Sequence, residues 1–238
     1  MISANEIKFV RSLREKKFRD LHGAFVVEGE KLVAEALASG WEVVSVWRRE
    51  DVGEKAMERI SALSSPSPVL AVVRKPSAEL PVLPEKGLFL ALDGIRDPGN
   101  LGTILRIADW YGVGAVFASP DTVDVFNPKV VQATMGAIFR VPLYYMELPA
   151  LCRSWKGPVY GTFLDGANIY GRPLETGAAK PVLVITGSEA DGISPAVAET
   201  VTDRLYLPPY PPDDPGSESL NAAVATALTL AEFRRRIP

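Results

Sequence analysis

Three stretches of the sequence carry polar side chains in the segment that follows a run of strand length. The first stretch contains Asn100 and Arg106, the second contains Glu189, and the third contains Ser219 and Asn221. Ligands of parallel sheets bind at the carboxyl ends of the strands. We therefore expect these amide, guanidinium, carboxylate and hydroxyl groups to converge on one pocket.

Each stretch also has a purely structural interpretation. Asn100 suits the N-cap of a helix over residues 101–111, and Arg106 suits a surface ion pair with Asp109. Ser219 suits the N-cap of the last helix, and Glu189 suits a solvated loop. Taken singly, no stretch specifies a function.

Residue counts exclude several kinds of chemistry. The single cysteine, Cys152, excludes an internal disulfide and a Cys-rich zinc cluster. The single histidine, His22, lies in a basic stretch typical of a solvated surface, which argues against a histidine base. Gly112 and Gly114 precede a predicted strand instead of following one, and no phosphate-loop run occurs. A nucleotide-dependent enzyme of another kind is therefore a minor alternative.

The elements that would position the polar side chains alternate between strand-like and helical patterns. Ser3 and Glu6 have the spacing of a capping box, and a small α/β unit follows them. Beyond a proline-rich run, unbroken apolar strands between helices predict a parallel sheet covered on both faces. We predict an α/β protein with domains at 1–75 and 87–238, joined by a linker at 76–86.

Charge is unevenly distributed along the chain. The net charge is −3, yet residues 1–75 hold 13 basic and 11 acidic side chains, whereas the remainder holds 13 and 18. Within residues 8–19 a single acid, Glu15, accompanies six basic side chains: Lys8, Arg11, Arg14, Lys16, Lys17 and Arg19. Such a cluster is a plausible contact surface for phosphate groups.

Neither end of the chain resembles a membrane or export segment. Charged residues begin at Glu6 and recur, which leaves no room for the apolar core of a signal peptide. The uncharged stretch 219–231 has 13 residues, and a membrane-spanning helix needs roughly 20. We expect a cytoplasmic protein with no membrane partner.

Together, the three stretches resemble a known family. The blocks Asn100-Leu-Gly102-Thr-Ile-Leu-Arg106, Gly187-Ser188-Glu189 and Ser219-Leu220-Asn221 have the order and spacing of the SpoU (TrmH) family of RNA ribose methyltransferases. The early stretch from Lys17 to Lys31 resembles that family's amino-terminal substrate-binding domain, which is similar to a kink-turn-binding ribosomal protein. The ordered triple is far more specific than any single block.

The resemblance implies a reaction, a cofactor and a fold. The reaction is transfer of a methyl group from S-adenosylmethionine to a ribose 2′-hydroxyl of structured RNA, ribosomal RNA in preference to transfer RNA, without a metal. The fold is a SPOUT-type parallel sheet with a carboxyl-terminal trefoil knot, working as a homodimer and carrying a small amino-terminal α/β RNA-binding domain. General topology rules, by contrast, argue against a knot.

The resemblance also implies roles for individual residues. The reaction centre would comprise Asn100, Arg106, Glu189, Ser219 and Asn221. The cofactor would be held mainly by backbone groups of Gly187, Leu207 and Leu220, and RNA would be contacted by Lys16, Lys17 and Arg19. A free guanidinium rarely acts as a base. We therefore expect Arg106 to grip the adjacent phosphate and stabilise the developing alkoxide, with the proton passing to it or to water.

One feature departs from the family's pattern. A short loop containing Pro-Met usually precedes the third block, whereas in this chain a longer, proline-rich run without methionine follows Leu207. This difference affects the wall of the expected adenosine pocket. It is the best support for an alternative, a non-catalytic dimeric RNA-binding protein on the same scaffold.

Overall fold

The computed structural model describes residues 2–77, 79, 82, 84–211 and 218–236. The described residues form two compact units. The N-terminal unit comprises those within 1–78 together with 124–140, and the C-terminal unit comprises those within 79–123 and 141–238. Within this described part, no helix is long and apolar enough to cross a membrane.

Strands and helices alternate along most of the chain. The strands are β1 Ala24–Glu28, β2 Val43–Arg48, β3 Val69–Arg74, β4 Gly87–Asp93, β5 Val116–Ala118, β6 Leu143–Tyr145, β7 Val159–Asn168, β8 Pro181–Gly187 and β9 Asp203–Tyr206. The α-helices are α1 Ala4–Ser12, α2 Lys16–His22, α3 Glu30–Ala38, α4 Arg49–Val52, α5 Glu54–Ile60, α6 Pro98–Trp110, α7 Pro128–Thr134, α8 Leu148–Ser154, α9 Pro195–Ala198 and α10 Ala222–Arg235.

An antiparallel sheet, in the order β1-β3-β2, forms the centre of the N-terminal unit. The capping box predicted at α1 is confirmed, because the Glu6 amide donates to Ser3 Oγ at 3.2 Å and the Ser3 amide donates to Glu6 Oε2 at 2.8 Å. One face of α1 buries Ile7 and Val10 against Met57 of α5 and the sheet. The helical spacing in the sequence therefore identified the core-facing side of α1.

Residues 124–140 pack with the N-terminal unit, although they follow β5 in the sequence. The ring of Phe25 in β1 lies 4.8 Å from that of Phe126, and the ring of Trp41 lies 5.2 Å from that of Phe139. Aromatic pairs at this separation add stabilisation beyond their buried area. The segment falls inside the range 87–238 that the sequence assigned to the second domain.

The C-terminal unit is built on a parallel sheet, in the order β6-β5-β4-β8-β7-β9 over the described residues. This confirms the parallel α/β prediction. The central strand β8 is buried along its whole length, and β4 is buried from its second residue onward. Asp93 lies opposite Gly187 in the register, so these two strands end at the same edge.

Two helix starts differ from the sequence interpretation. Asp97, not Asn100, is the N-cap of α6, because its Oδ1 accepts a hydrogen bond from the Asn100 amide at 2.8 Å and Pro98 occupies the first turn. Asn221, not Ser219, is the N-cap of α10, and its Oδ1 accepts from the Ala223 amide at 3.0 Å. The side chain of Asn100 is consequently available for other contacts.

Candidate active site

Three side chains from distant parts of the chain form one hydrogen-bonded network at the carboxyl edge of the sheet. Asn100 Nδ2 donates to Glu189 Oε1 at 3.0 Å, and Asn221 Nδ2 donates to Asn100 Oδ1 at 2.9 Å. Asn221 Nδ2 also donates to Glu189 Oε1. Each of the three sequence stretches contributes one member, so the expected convergence is observed for these residues.

The fold places these three residues through ordinary elements. Asn100 lies in the first turn of α6, which follows β4, and Glu189 lies in the loop that follows the adjacent β8. Asn221 caps α10, whose Thr226 hydroxyl lies 3.1 Å from the Thr186 hydroxyl of β8. The network therefore depends on two neighbouring strands ending together and on α10 packing beside them.

Glu189 is the central acceptor of the network. Its Oε1 also accepts from the backbone amide of Ala222 at 3.2 Å, at the amino end of α10. A carboxylate at a helix amino terminus is stabilised by the helix dipole. Glu189 thus fixes the orientation of the Asn100 and Asn221 amides, which suits them to position a polar ligand.

Arg106 does not join this network. It is exposed on α6, six residues after Asn100. At 3.6 residues per turn, that spacing rotates its side chain by roughly 120° from Asn100 and places it about 9 Å farther along the axis. Its predicted role in the reaction stays a prediction.

The residues expected to hold a cofactor lie at or near this edge. Gly187 ends β8, Leu207 directly follows β9, and Leu220 precedes α10 beside the exposed Ser219. Leu207 is half-buried, and Leu220, the residue before Asn221, is exposed, so both present apolar surface. This combination fits the adenosine part of S-adenosylmethionine, which needs apolar cover and backbone hydrogen bonds. Residues 212–217 of the proline-rich run lie outside the described residues.

Gly187 has a structural reason to be glycine. A Cβ at this position would lie 2.1 Å from the carbonyl carbon of Gly192. The tight turn behind it is closed by the Ser188 amide, which donates to the Gly192 oxygen at 3.1 Å. The glycine is therefore required by the close approach of the backbone of its own loop.

Two carboxylates that organise the edge were missed from the sequence. Asp93 is buried at the end of β4, and its Oδ2 accepts from the Ser194 amide at 2.7 Å. Asp97 caps α6. The sequence contained a signal for each. Asp93 is an acid at the end of an otherwise apolar strand, and Asp97 stands immediately before a proline at a helix start.

Three of the six basic side chains in the cluster, Lys16, Lys17 and Arg19, are paired with acids of the N-terminal unit. Lys16 Nζ lies 2.6 Å from Asp20 Oδ2, and Lys17 Nζ lies 3.1 Å from Glu15 Oε2, although both lysines are exposed. Their predicted RNA contacts stay predictions.

Arg19 requires a correction. Its side chain is 2% exposed, and its Nη2 lies 2.6 Å from Asp124 Oδ2. Its Nη1 donates to the carbonyls of Leu13 and Arg14 at 3.0 and 2.7 Å. A guanidinium whose donors are used inside the protein cannot contact a phosphate, so the prediction of RNA binding by Arg19 is wrong.

A protein metal site needs several ligating side chains around one point. Over the part of the chain that the structure describes, no group of three or more His, Cys, Asp or Glu side chains is arranged to hold a metal ion.

Family comparisons divide the chain in two. Residues 87–231 match the model of the SpoU rRNA methylase family, and residues 4–75 match that of the MRM3-like substrate-binding domain.

Individual relatives are similar over nearly the whole chain. A 23S rRNA (guanosine(2553)-2′-O)-methyltransferase of Bacillus subtilis is 30% identical, with 96% of each chain covered. A TrmH-family protein from Porphyromonas gingivalis is 43% identical with a TM-score of 0.86, and 99% of each chain is covered. An AdoMet-bound rRNA methyltransferase from Sinorhizobium meliloti is 28% identical with a TM-score of 0.88, covering 100% of this chain and 98% of that one.

Proposed function

The chain belongs to the SpoU rRNA methylase family, and on that premise we propose that it transfers a methyl group from S-adenosylmethionine to a ribose 2′-hydroxyl of ribosomal RNA. The hydrogen-bonded network of Asn100, Glu189 and Asn221 carries the proposal, because it joins the three motif blocks at one sheet edge. Relatives of similar length include a ribosomal RNA 2′-O-methyltransferase and an AdoMet-bound rRNA methyltransferase.

The chain's residues mainly align the two reactants. S-adenosylmethionine would supply a methyl group on its sulfonium sulfur, and the neutral thioether of S-adenosylhomocysteine is a good leaving group. Backbone groups of Gly187, Leu207 and Leu220 would hold the cofactor at this edge of the sheet. Such positioning can account for a large part of a barrier reduction.

Arg106 acts on the ribose. A ribose hydroxyl is a poor nucleophile, so its oxygen needs stabilisation as it loses the proton. The exposed guanidinium of Arg106 grips the adjacent phosphate and stabilises the developing negative charge on the 2′-oxygen. The proton passes to water, because a guanidinium that is already protonated cannot accept it.

For the domains, we keep the boundaries predicted from the sequence. These are an RNA substrate-binding domain at 1–75, a linker at 76–86 and the methyltransferase domain at 87–238. The first domain reads structured RNA in the manner of a kink-turn-binding ribosomal protein, with Lys16 and Lys17 as contacts. The family match over residues 4–75 to a substrate-binding domain supports this division. A ribosomal RNA substrate makes the cytoplasm the expected location.

The methyltransferase domain carries a trefoil knot and forms a homodimer. α10 follows the edge strand β9 in the sequence, yet it contacts β8 and α6. This placement of α10 away from the strand that precedes it supports a knot. α10 exposes Val224 and Leu228 one turn apart, and Leu220 is exposed just before the helix; this apolar row supports a dimer interface.

Two measurements test the function. Calorimetry is expected to show saturable binding of S-adenosylmethionine and none of NAD. With transcribed, unmethylated 23S rRNA and methyl-labelled cofactor, the label is expected in ribose 2′-O-methyl groups, mapped by resistance to alkaline cleavage. Binding of S-adenosylmethionine and of the RNA without methyl transfer would instead support a non-catalytic RNA-binding protein.

A further inference from the structure

A groove of about 580 Å³ lies on the surface of the N-terminal unit. One face of α1 forms a wall, because its groove-lining residues recur at helical spacing, and Arg59 of α5 contributes from a distant part of the sequence. Four cationic side chains line this basic groove: Lys8, Arg11, Arg14 and Arg59. The sequence cluster alone did not reveal Arg59 as a member.

The basic groove keeps its positive charge. Among the described residues that line it, Glu15 is the one acid, and Lys17 lies 3.1 Å from that carboxylate. By contrast, Lys16 is paired with Asp20, and Arg19 is buried against Asp124. Within residues 8–19, the largest uncompensated positive charge therefore belongs to Lys8, Arg11 and Arg14, which all line the groove.

The groove is also held on a rigid base. The capping box fixes the start of α1, and Ile7 and Met57 are buried in the core beneath α1 and α5. Arg14 donates to the Ser61 carbonyl, which ties the end of the α1 segment to the residue after α5. Phe18, half-buried, adds an aromatic wall. Cations on a fixed frame lose little freedom when they bind a phosphate chain.

We propose that the groove lined by Lys8, Arg11, Arg14 and Arg59 binds the phosphate backbone of the RNA substrate and is the main electrostatic anchor of the N-terminal unit. The proposal rests on the proposed function, because it takes RNA as the partner. Contacts to phosphate position a nucleic acid without reading its sequence. The groove therefore sets affinity and orientation.

The test compares two triple variants that each remove three positive charges. Lys8→Ala with Arg11→Ala and Arg59→Ala alters the groove, while Arg14 is kept because it also bonds to Ser61. The control combines changes of the same kind at three exposed cations of the same unit that do not line the groove: Lys31→Ala, Arg48→Ala and Lys129→Ala. Binding of transcribed 23S rRNA is followed by fluorescence anisotropy between about 50 and 200 mM salt.

The groove variant is expected to bind at least about tenfold more weakly, with a salt slope lower by roughly 2. The control is expected to stay close to the wild type. Lys8→Arg with Arg11→Lys and Arg59→Lys should retain binding, since a phosphate accepts either cation. Glu15→Gln should tighten binding, because it removes the one acid of the described lining without removing a helix-cap hydrogen bond.

Equal losses in the groove and control variants would overturn the proposal, and so would an unchanged salt slope in a folded groove variant. Failure of the proposed function shows separately, as a wild type that neither binds S-adenosylmethionine nor methylates the RNA. Circular dichroism and calorimetry with the cofactor establish that each variant is folded. RNA binding can then be scored independently of methyl transfer.

Discussion

In the proposed reaction, Arg106 is the side chain expected to stabilise the developing charge on the ribose 2′-oxygen. Arg106→Ala should lower the saturated turnover rate by roughly 10²-fold while the affinity for S-adenosylmethionine persists, because it removes a group that acts on the reacting oxygen. Arg106→Lys should restore little, since an ammonium lacks the planar fork of a guanidinium.

Single-turnover methylation with saturating RNA and cofactor measures this effect. Arg153→Ala is the matched control, because Arg153 is an exposed helical arginine of the same unit outside the site. Wild-type turnover in Arg106→Ala would show that Arg106 has no role in the reaction.

Glu232 gives a prediction about pH. It is 4% exposed, and the pKa of its carboxyl lies below its ordinary value of 4.5 because Arg235, and also Arg236, donate hydrogen bonds to it. A lowered pKa means that the ionised form is favoured in the folded state. Its stabilisation is therefore full above pH 4.5 and is lost as the pH falls through the folded-state pKa.

Glu232→Gln should accordingly lower the free energy of unfolding at pH 7 by about 1 to 3 kcal/mol and by less at pH 3. Urea unfolding at the two pH values measures the difference. Glu199→Gln, at an exposed position, should change it by less than about 0.5 kcal/mol. An equal effect of Glu232→Gln at both pH values would contradict the assigned ionisation.

At the scale of elements, the start of α6 determines where Asn100 lies. Asp97→Ala removes the N-cap acceptor and should cost about 1 kcal/mol of stability, whereas Asp97→Asn should be nearly neutral. Because Asn100 lies in the first turn, we also expect the alanine variant to bind S-adenosylmethionine more weakly. Thermal unfolding and calorimetry of the two variants test this, and equal behaviour would refute the role of the cap.

Several elements were predictable because their signals are local. The capping box of α1 and the apolar strands of the parallel sheet depend on residues close together in sequence. The burial of Arg19 was not predictable, because its partner Asp124 is 105 residues away. The sequence placed Asn100, Glu189 and Asn221 at one sheet edge, but their hydrogen bonds required the register of β4 and β8 and the cap of α10.

At the scale of the whole molecule, the proposed dimer can be broken at α10. Leu228 is 41% exposed at the carboxyl-terminal end of the apolar row. We expect the wild type to scatter light as a particle of twice 25.8 kDa at micromolar concentration, and Leu228→Glu to shift it toward the monomer. A buried carboxylate without a partner would destabilise the interface.

Leu37→Glu on α3 serves as the control, because Leu37 is also an exposed helical leucine, at 56%. It should leave the mass unchanged. A wild type that stays monomeric with full methylation activity would refute the dimer.

The packing of residues 124–140 makes the two halves of this sequence inseparable. Phe126 and Phe139 complete a core whose other members, Phe25 and Trp41, lie more than eighty positions earlier. A chain cut at residues 76–86 would separate those two phenylalanines and Asp124 from the residues that they contact. The substrate-binding half therefore cannot be exchanged between relatives as a cassette unless residues 124–140 are exchanged with it.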